Sequence, residues 1–325
     1  MRGRTAPPLS PVGKPGVAMV DPSLLFEQLL NGVQLGILLF LLASGLTLVF
    51  GIMDLMNLAH GSLYMIGAYV AAKVTILANS FLLGVAVALP ATLLLGVALE
   101  LLVFRRLYAR GHLDQVLATF GMILFFNELV RLIWGPAGVS VPLPEILRGH
   151  IDLFGLPYPT YRVLVILVGL GVAAFLYWLV VKTRVGMLIR AGASRREMVG
   201  ALGVDVARLF TIVFGIGAAL AALAGVMAGP IFSVTVGMGE SVLILTLVVI
   251  VVGGIGSIRG AFVGALLIGV TETMGRAFLS EIFLLFMSRD GANTAGPAVA
   301  SMLVYIIMAV VLVFRPQGLF PARTG

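Results

Sequence analysis

The sequence predicts an all-α polytopic membrane protein of about eight to ten transmembrane helices, with one discontinuous helix near residues 44–61 and both termini cytoplasmic. Three observations predict it: composition, a succession of span-length apolar runs, and basic loops that alternate between sides. The 325 residues are 60% hydrophobic and 11% charged, against about 25% charged residues in a soluble domain, and the mean hydropathy is +1.14. The absence of cysteine excludes disulfides, thiol catalysis and cysteine metal sites. His60, His112 and His150 lie far apart without ligand spacing, so no metal is expected. The net charge of +7 does not point to nucleic acid, because no basic domain carries it; basic residues collect in the cytoplasmic loops of membrane proteins.

Residues 1–23 hold Pro7, Pro8, Pro11 and Pro15 with Arg2, Arg4 and Lys14. They read as a disordered basic tail, in which Met1 or Met19 is the start. The run 24–42 follows that basic segment as a signal peptide would, but it is long enough to span and more spans follow, so it reads as an uncleaved first helix. The remaining candidates are a short broken segment 44–58 and the runs 62–79, 81–104, 113–134, 161–181, 209–229, 241–258, 260–280 and 298–314, with a short tail at 321–325.

Arg105, Arg106 and Arg110 follow the 81–104 run; Lys182, Arg184, Arg190, Arg195, Arg196 and Arg208 fall in the loop 182–208, and Arg315 and Arg323 in the tail. The opposite loops hold Glu145, Asp152, Glu240, Glu281 and Asp290 with Arg148 and Arg289. Positive charge thus alternates sides. With a cytoplasmic start, two crossings before residue 79 would strand Arg105 and Arg106 outside. Three crossings, with 44–58 as a short one, give ten spans and restore the pattern; a re-entrant 44–58 gives eight. The charge pattern favours ten.

Residues 45–71 are interrupted by Gly51 and Gly61, and between them lie Asp54, Asn57 and His60. A carboxylate at a membrane helix centre costs about 2.5–3.5 kcal/mol. Polar groups at that depth are tolerated where broken helices line a cavity. The three residues therefore either line a passage or brace the break by bonding to neighbouring helices. Glu272 and Arg276, four apart, and Glu128 and Arg131, three apart, are spaced for intrahelical pairs. Lys73 and Glu100 read as snorkelling or end-of-helix groups. Gly217, Ala221, Gly225 and Gly229 form one ladder of small residues and Gly256, Gly260 and Gly264 another, both read as helix-packing faces.

In the loop 182–208, Ser194-Arg195-Arg196-Glu197 fits a capping box, with Ser194 as N-cap and Glu197 reaching back from the third helical position. Gly203 supplies a stop. The helix between is about two turns, marginal alone, and Met198, Val199 and Leu202 share one face. Such a helix docks against a partner or lies on the bilayer surface; the residues alone leave both open. No Gly-Lys-Ser/Thr phosphate loop and no His-Glu-x-x-His or Ser/His/Asp set appears, which argues against nucleotide hydrolysis through a P-loop or an intramembrane enzyme.

Gly45–Tyr69, the loop Thr183–Gly203 with 220–229, the Val-Gly-Gly-Ile-Gly-Ser-Ile-Arg-Gly-Ala run at 252–261 and the Phe-Arg-Pro-Gln-Gly-Leu-Phe segment at 314–320 together resemble the integral-membrane permease of branched-chain amino acid ABC transporters. The likeness covers nearly all of the chain after residue 24, so that 24–320 is a permease domain. It implies a subunit of a bacterial cytoplasmic-membrane importer for apolar amino acids. Its implied partners are a second homologous permease subunit, two cytoplasmic ATPases that use ATP and Mg, and an extracytoplasmic substrate-binding protein; the chain itself binds no cofactor and is not an enzyme. The loop is similar to the coupling loop of ABC importers, in which a Glu precedes a Gly by six residues, as Glu197 precedes Gly203. The two alanines that usually follow that Glu are Met198 and Val199 here, and the downstream Leu-Pro is missing. The resemblance turns the loop helix toward docking on an ATPase, through Ser194, Arg195, Arg196, Glu197, Met198, Val199, Leu202 and Gly203. Urea, amides and aromatic acids are alternative cargoes within the family. An ion-gradient transporter working through Asp54, Glu100 or Glu128 is the alternative outside it.

Overall fold

The computed structural model describes residues 22–108, 110–153, 155–194 and 196–320, with the side chains of 193, 194, 196 and 197 excepted. The expected tails 1–21 and 321–325, and Arg195, lie outside the described residues. The chain is helical almost throughout: α1 (Pro22–Met53), α2 (His60–Ala78), α3 (Phe81–Leu107), α4 (His112–Trp134), a β-hairpin of β1 (His150–Leu153) and β2 (Leu156–Pro159), α5 (Thr160–Lys182), α6 (Arg184–Ser194), α7 (Arg196–Ala201), α8 (Val206–Phe232), α9 (Met238–Gly253), α10 (Ile258–Phe283) and α11 (Arg289–Phe314).

Side-chain caps start several of these helices. Ser80, Thr183, Asp205, Ser257 and Ser288 accept from the backbone N–H three residues on, each satisfying a donor the helix leaves open. Among the described residues, eight helices are long and apolar enough to cross a membrane. The expected runs 24–42 and 44–58 are one continuous helix of 32 residues, about 48 Å long at 1.5 Å per residue. The run at 241–258 is a helix of 16 residues, about 24 Å and short of the ~30 Å hydrocarbon core.

Fusing the first two candidates changes the parity. Pro22, Ser23 and Phe26 border the same cleft as Gly155 and Leu156 of the hairpin, and Asn31 accepts hydrogen bonds from Tyr158 (3.2 Å) and Arg162. Burial holds the Tyr158 phenol above its usual pKa, with Arg162 pulling the other way. At the opposite end, Leu319 and Phe320 donate from their backbone to Val252 and Gly253 (2.9 Å each), and Gly51 faces Gly256. Pro22 and Phe320 therefore lie at opposite ends of the bundle, and the expected shared side is not what the described chain adopts. Arg105, Arg106, Arg110, Lys182, Arg184, Arg190, Arg208, Arg259 and Arg315 all belong to the Phe320 end, which the excess of positive charge marks as cytoplasmic.

α1, α2 and α8 form the interior. α3, α4, α5 and α11 leave most of their surface facing outward, as lipid-facing helices do. The interior contacts are backbone to backbone. An added Cβ would lie 2.7 Å from the Gly217 oxygen at Gly45, 2.5 Å from the Ala222 Cα at Gly67, and 2.0 Å from the Tyr64 oxygen at Gly225. Gly36 meets Ala265 and Leu266 of α10, and Gly264 meets Val249 and Gly253 of α9. In lipid, where apolar burial between helices gains little, such close approach supplies the contact energy.

Candidate functional site

Two places stand out among the described residues: the break after α1 and the knob formed by α6 and α7.

The break spans residues 54–59. Gly51 does not make it: it stays helical and is pressed against Gly256, where a Cβ would lie 3.0 Å from the Gly256 Cα. Gly61 is likewise in the first turn of α2, against Gly239. The chain leaves the helix at Asp54, which takes φ +50°, a left-handed conformation that Asp and Asn tolerate better than most residues. Asp54 is exposed, whereas Asn57 and His60 are buried, so the three expected site residues do not share one surface. The chain doubles back so that His60 lies against Gly45 of α1, close to the Leu42 carbonyl but without a well-formed hydrogen bond. Among the described residues, both amide atoms of Asn57 and both ring nitrogens of His60 lack a hydrogen-bond partner. Burying such groups unpaired costs about 1–3 kcal/mol each. Among the described residues, no side-chain hydrogen bond from either residue braces the break.

The same place holds a second feature that periodicity could not reveal. α2 and α9 meet at their N-terminal turns, Gly61 against Gly239, and a Cβ on Gly239 would lie 2.0 Å from the Gly61 oxygen. Helix N-termini carry partial positive charge and open N–H groups. Two of them meet here, at Gly61 and Gly239, although the His60, Ser62 and Leu63 N–H groups are already taken by the Asn57 and Ala59 carbonyls. Glu240, in the first turn of α9, accepts a hydrogen bond from Asn127 of α4.

At the knob, α6 and α7 run between α5 and α8. Gly192 packs toward Leu209 of α8 and Ile52 of α1, within 3.7 Å of where its Cβ would be, so the knob rests on the last turn of α1 before the break. In α7, Val199 is 6% exposed and faces the protein, while Met198 is 54% and Leu202 80% exposed. The expected docking triad is thus split: Val199 anchors, and Met198 and Leu202 face outward. Gly203 ends the turn at φ +83°, and its N–H bonds the Gly200 carbonyl, a position at which a residue with Cβ is strained. Ser194 is the last residue of α6; the contacts expected of Ser194 and Glu197 involve side chains outside those described.

Glu100 ends the α-helical part of α3, as one of its two expected placements has it, but it does not snorkel. Rather than reaching an interface, it is fully buried at the start of a π-helical turn, Glu100–Phe104. It accepts from Thr211 Oγ1 of α8 (2.7 Å) and Tyr108 Oη (3.1 Å), with Arg105 at 3.4 Å. The extra residue of the π turn is the sequence-silent feature that turns it inward. Glu100→Ala is expected to lower the thermal midpoint of the detergent-solubilised protein by removing charge-assisted bonds worth about 1.5–3 kcal/mol each, and Glu100→Gln by clearly less. Glu272 pairs with Arg276 at 2.6 Å, and Glu128 with Arg131 at 3.0 Å.

With this geometry in place the comparison is decisive. Residues 28–312 match the family model described as branched-chain amino acid transport system / permease component. The chain belongs to this permease family. It is 31% identical over 306 residues to the high-affinity branched-chain amino acid transport system permease protein BraD of Pseudomonas aeruginosa, across 90% of this chain and 94% of that protein. It is 30% identical to LivH of Escherichia coli K12, across 90% and 96%. LivM of the same organism is 28% identical over 94% of this chain but 73% of its own length. The permease is accordingly a multi-pass inner-membrane protein, and its knob sits on the side that the basic loops mark as cytoplasmic.

Proposed function

We propose that this permease is the LivH-like membrane subunit of an ABC importer that carries branched-chain amino acids inward. It would work beside a second homologous permease, with two cytoplasmic ATPases and an extracytoplasmic substrate-binding protein. The observation that carries the reading is the family match over 28–312, supported by an exposed apolar pair, Met198 and Leu202, on a cytoplasmic knob that rests directly on α1. ATP-driven movement of the ATPases pushes that knob, Gly192 passes the displacement to Ile52, and the break at 54–59 is where α1 can yield without opening its hydrogen-bond ladder. This is a rigid-body shift acting on a hinge.

The cargo is a zwitterion with an aliphatic side chain. Its carboxylate suits the converging N-terminal turns of α2 and α9, and Asn57 and His60 supply the unspent donors and acceptors. The experiment is ATP-dependent uptake of labelled leucine by proteoliposomes holding the complete transporter. Uptake that persists with the ATPases omitted would overturn the reading in favour of a gradient-driven carrier.

Asn57→Leu separates a lining role from a bracing one. A brace would lose stability on this change. Because the Asn57 amide is unpartnered, the expected outcome is unchanged or raised thermal stability together with uptake lowered about tenfold, the effect of removing one charge-assisted contact of about 1.4 kcal/mol. A destabilised variant with normal uptake per folded molecule would reverse the assignment.

A further inference from the structure

Lys73 stands apart from everything described above. It is exposed on α2, six residues before the C-cap Asn79 and therefore about 9 Å from the outward end of the helix. Among the described residues it has no ion-pair partner. An isolated lysine there would ordinarily extend its ammonium along the surface to water. Here it borders a cavity of about 170 Å³ between α2 and the end of α4, lined also by Tyr69, Ala72, Ile76, Ile133 and Trp134. Tyr69 is wholly buried on the inner wall, its ring 5.3 Å from that of Trp134, and its hydroxyl has no hydrogen-bond partner among the described residues. Ile76 and Ile133 are exposed at the rim. One cation without an ion-pair partner among the described residues and an aromatic pair border a space the size of a few waters at interfacial depth.

We propose that this cavity binds the anionic headgroup of an outward-leaflet phospholipid, with Lys73 on the phosphodiester, Tyr69 as a second donor and Trp134 against the glycerol region. The outward-facing surface of α4 makes lipid the neighbour at hand, and the cation sets the preference for anionic over zwitterionic headgroups. A basic residue close to an anionic lipid surface contributes about 1 kcal/mol, about fivefold.

The test uses the two tryptophans of the sequence, Trp134 and Trp178. With Trp178→Phe as background, the full chain in phosphatidylcholine nanodiscs reports through Trp134 alone. Brominated phosphatidylglycerol is expected to half-quench that emission at about one-fifth of the mole fraction that brominated phosphatidylcholine needs. Lys73→Gln should bring the two curves together and Lys73→Arg should keep them apart. Because residue 73 is exposed, these variants retain the fold. Coincident curves in the parent, or a preference that survives Lys73→Gln, would overturn the proposal. So would quenching reversed by millimolar leucine, which would assign the cavity to the carboxylate of the cargo.

Discussion

The double variant Met198→Glu, Leu202→Glu is expected to abolish ATP-driven uptake while leaving the permease folded and in the membrane. Both side chains are largely exposed at the Phe320 end, 54% and 80%, so charging them costs little buried apolar surface. At a protein interface the opposite holds. Apolar anchors of this kind carry 2 kcal/mol or more each, and an unpaired carboxylate buried on docking adds its desolvation cost. Loss of ATPase binding by at least about thirtyfold follows, read as loss of ATPase co-purification and of uptake together. Val199→Ala, at a residue 6% exposed in the same helix, is expected to show the converse: lower thermal stability with ATPase binding retained. If the double variant still held the ATPases and transported leucine, the knob would be lying against lipid headgroups, the other reading that its amphipathic pattern allows.

The contrast between Val199 and its neighbours shows where sequence reading stops. Positions i, i+1 and i+4 share a broad helical face, but a two-turn helix packed on its parent uses part of that face internally, and only the packing says which part. The same limit explains α1. The runs 24–42 and 44–58 read as two spans, with a discontinuity marked by Gly51, Gly61 and the polar residues between them. In a membrane interior glycine is more often where backbones touch, and Gly51 touches Gly256; the helix continues to Met53 and turns at Asp54. With the first two candidates fused, Pro22 lies at the end opposite Phe320, and no extra crossing is needed to keep Arg105 and Arg106 on the side of Arg315. The spans at 81–104, 113–134, 161–181 and 209–229 were legible because hydrophobic length decides them. The orphaned polarity of Asn57 and His60 was half legible: their cost in lipid marks them, while their lack of partners is a property of the fold. The inward turn of Glu100 was not legible at all, because a π turn leaves no pattern in composition.

Gly225→Ala is expected to be among the most damaging single methyl additions in the described chain, with the permease failing to accumulate in the membrane. A Cβ at 225 would stand 2.0 Å from the Tyr64 oxygen, 3.0 Å from the Tyr64 carbonyl carbon and 3.3 Å from the Ala68 nitrogen. All three are backbone atoms, so no rotamer change relieves the clash; α8 and α2 must move apart. Overpacking of a core by a methylene costs about 1–3 kcal/mol when side chains can adjust, and here the adjustment must come from two interior helices. It also reaches the site, because Tyr64 lies one turn beyond His60 on α2. Survivors of a milder defect should therefore show lowered uptake as well as lowered stability. Gly121 of α4 and Gly171 of α5 supply the control: nothing lies within 4 Å of where their Cβ would be. There the same substitution removes the helix penalty of glycine, about 1 kcal/mol, and should leave the thermal midpoint unchanged or raised. One chemical change with opposite sign at two kinds of helical glycine separates backbone contact from propensity. Equal effects at 225 and 121 would mean that the α2–α8 interface is looser than its geometry requires.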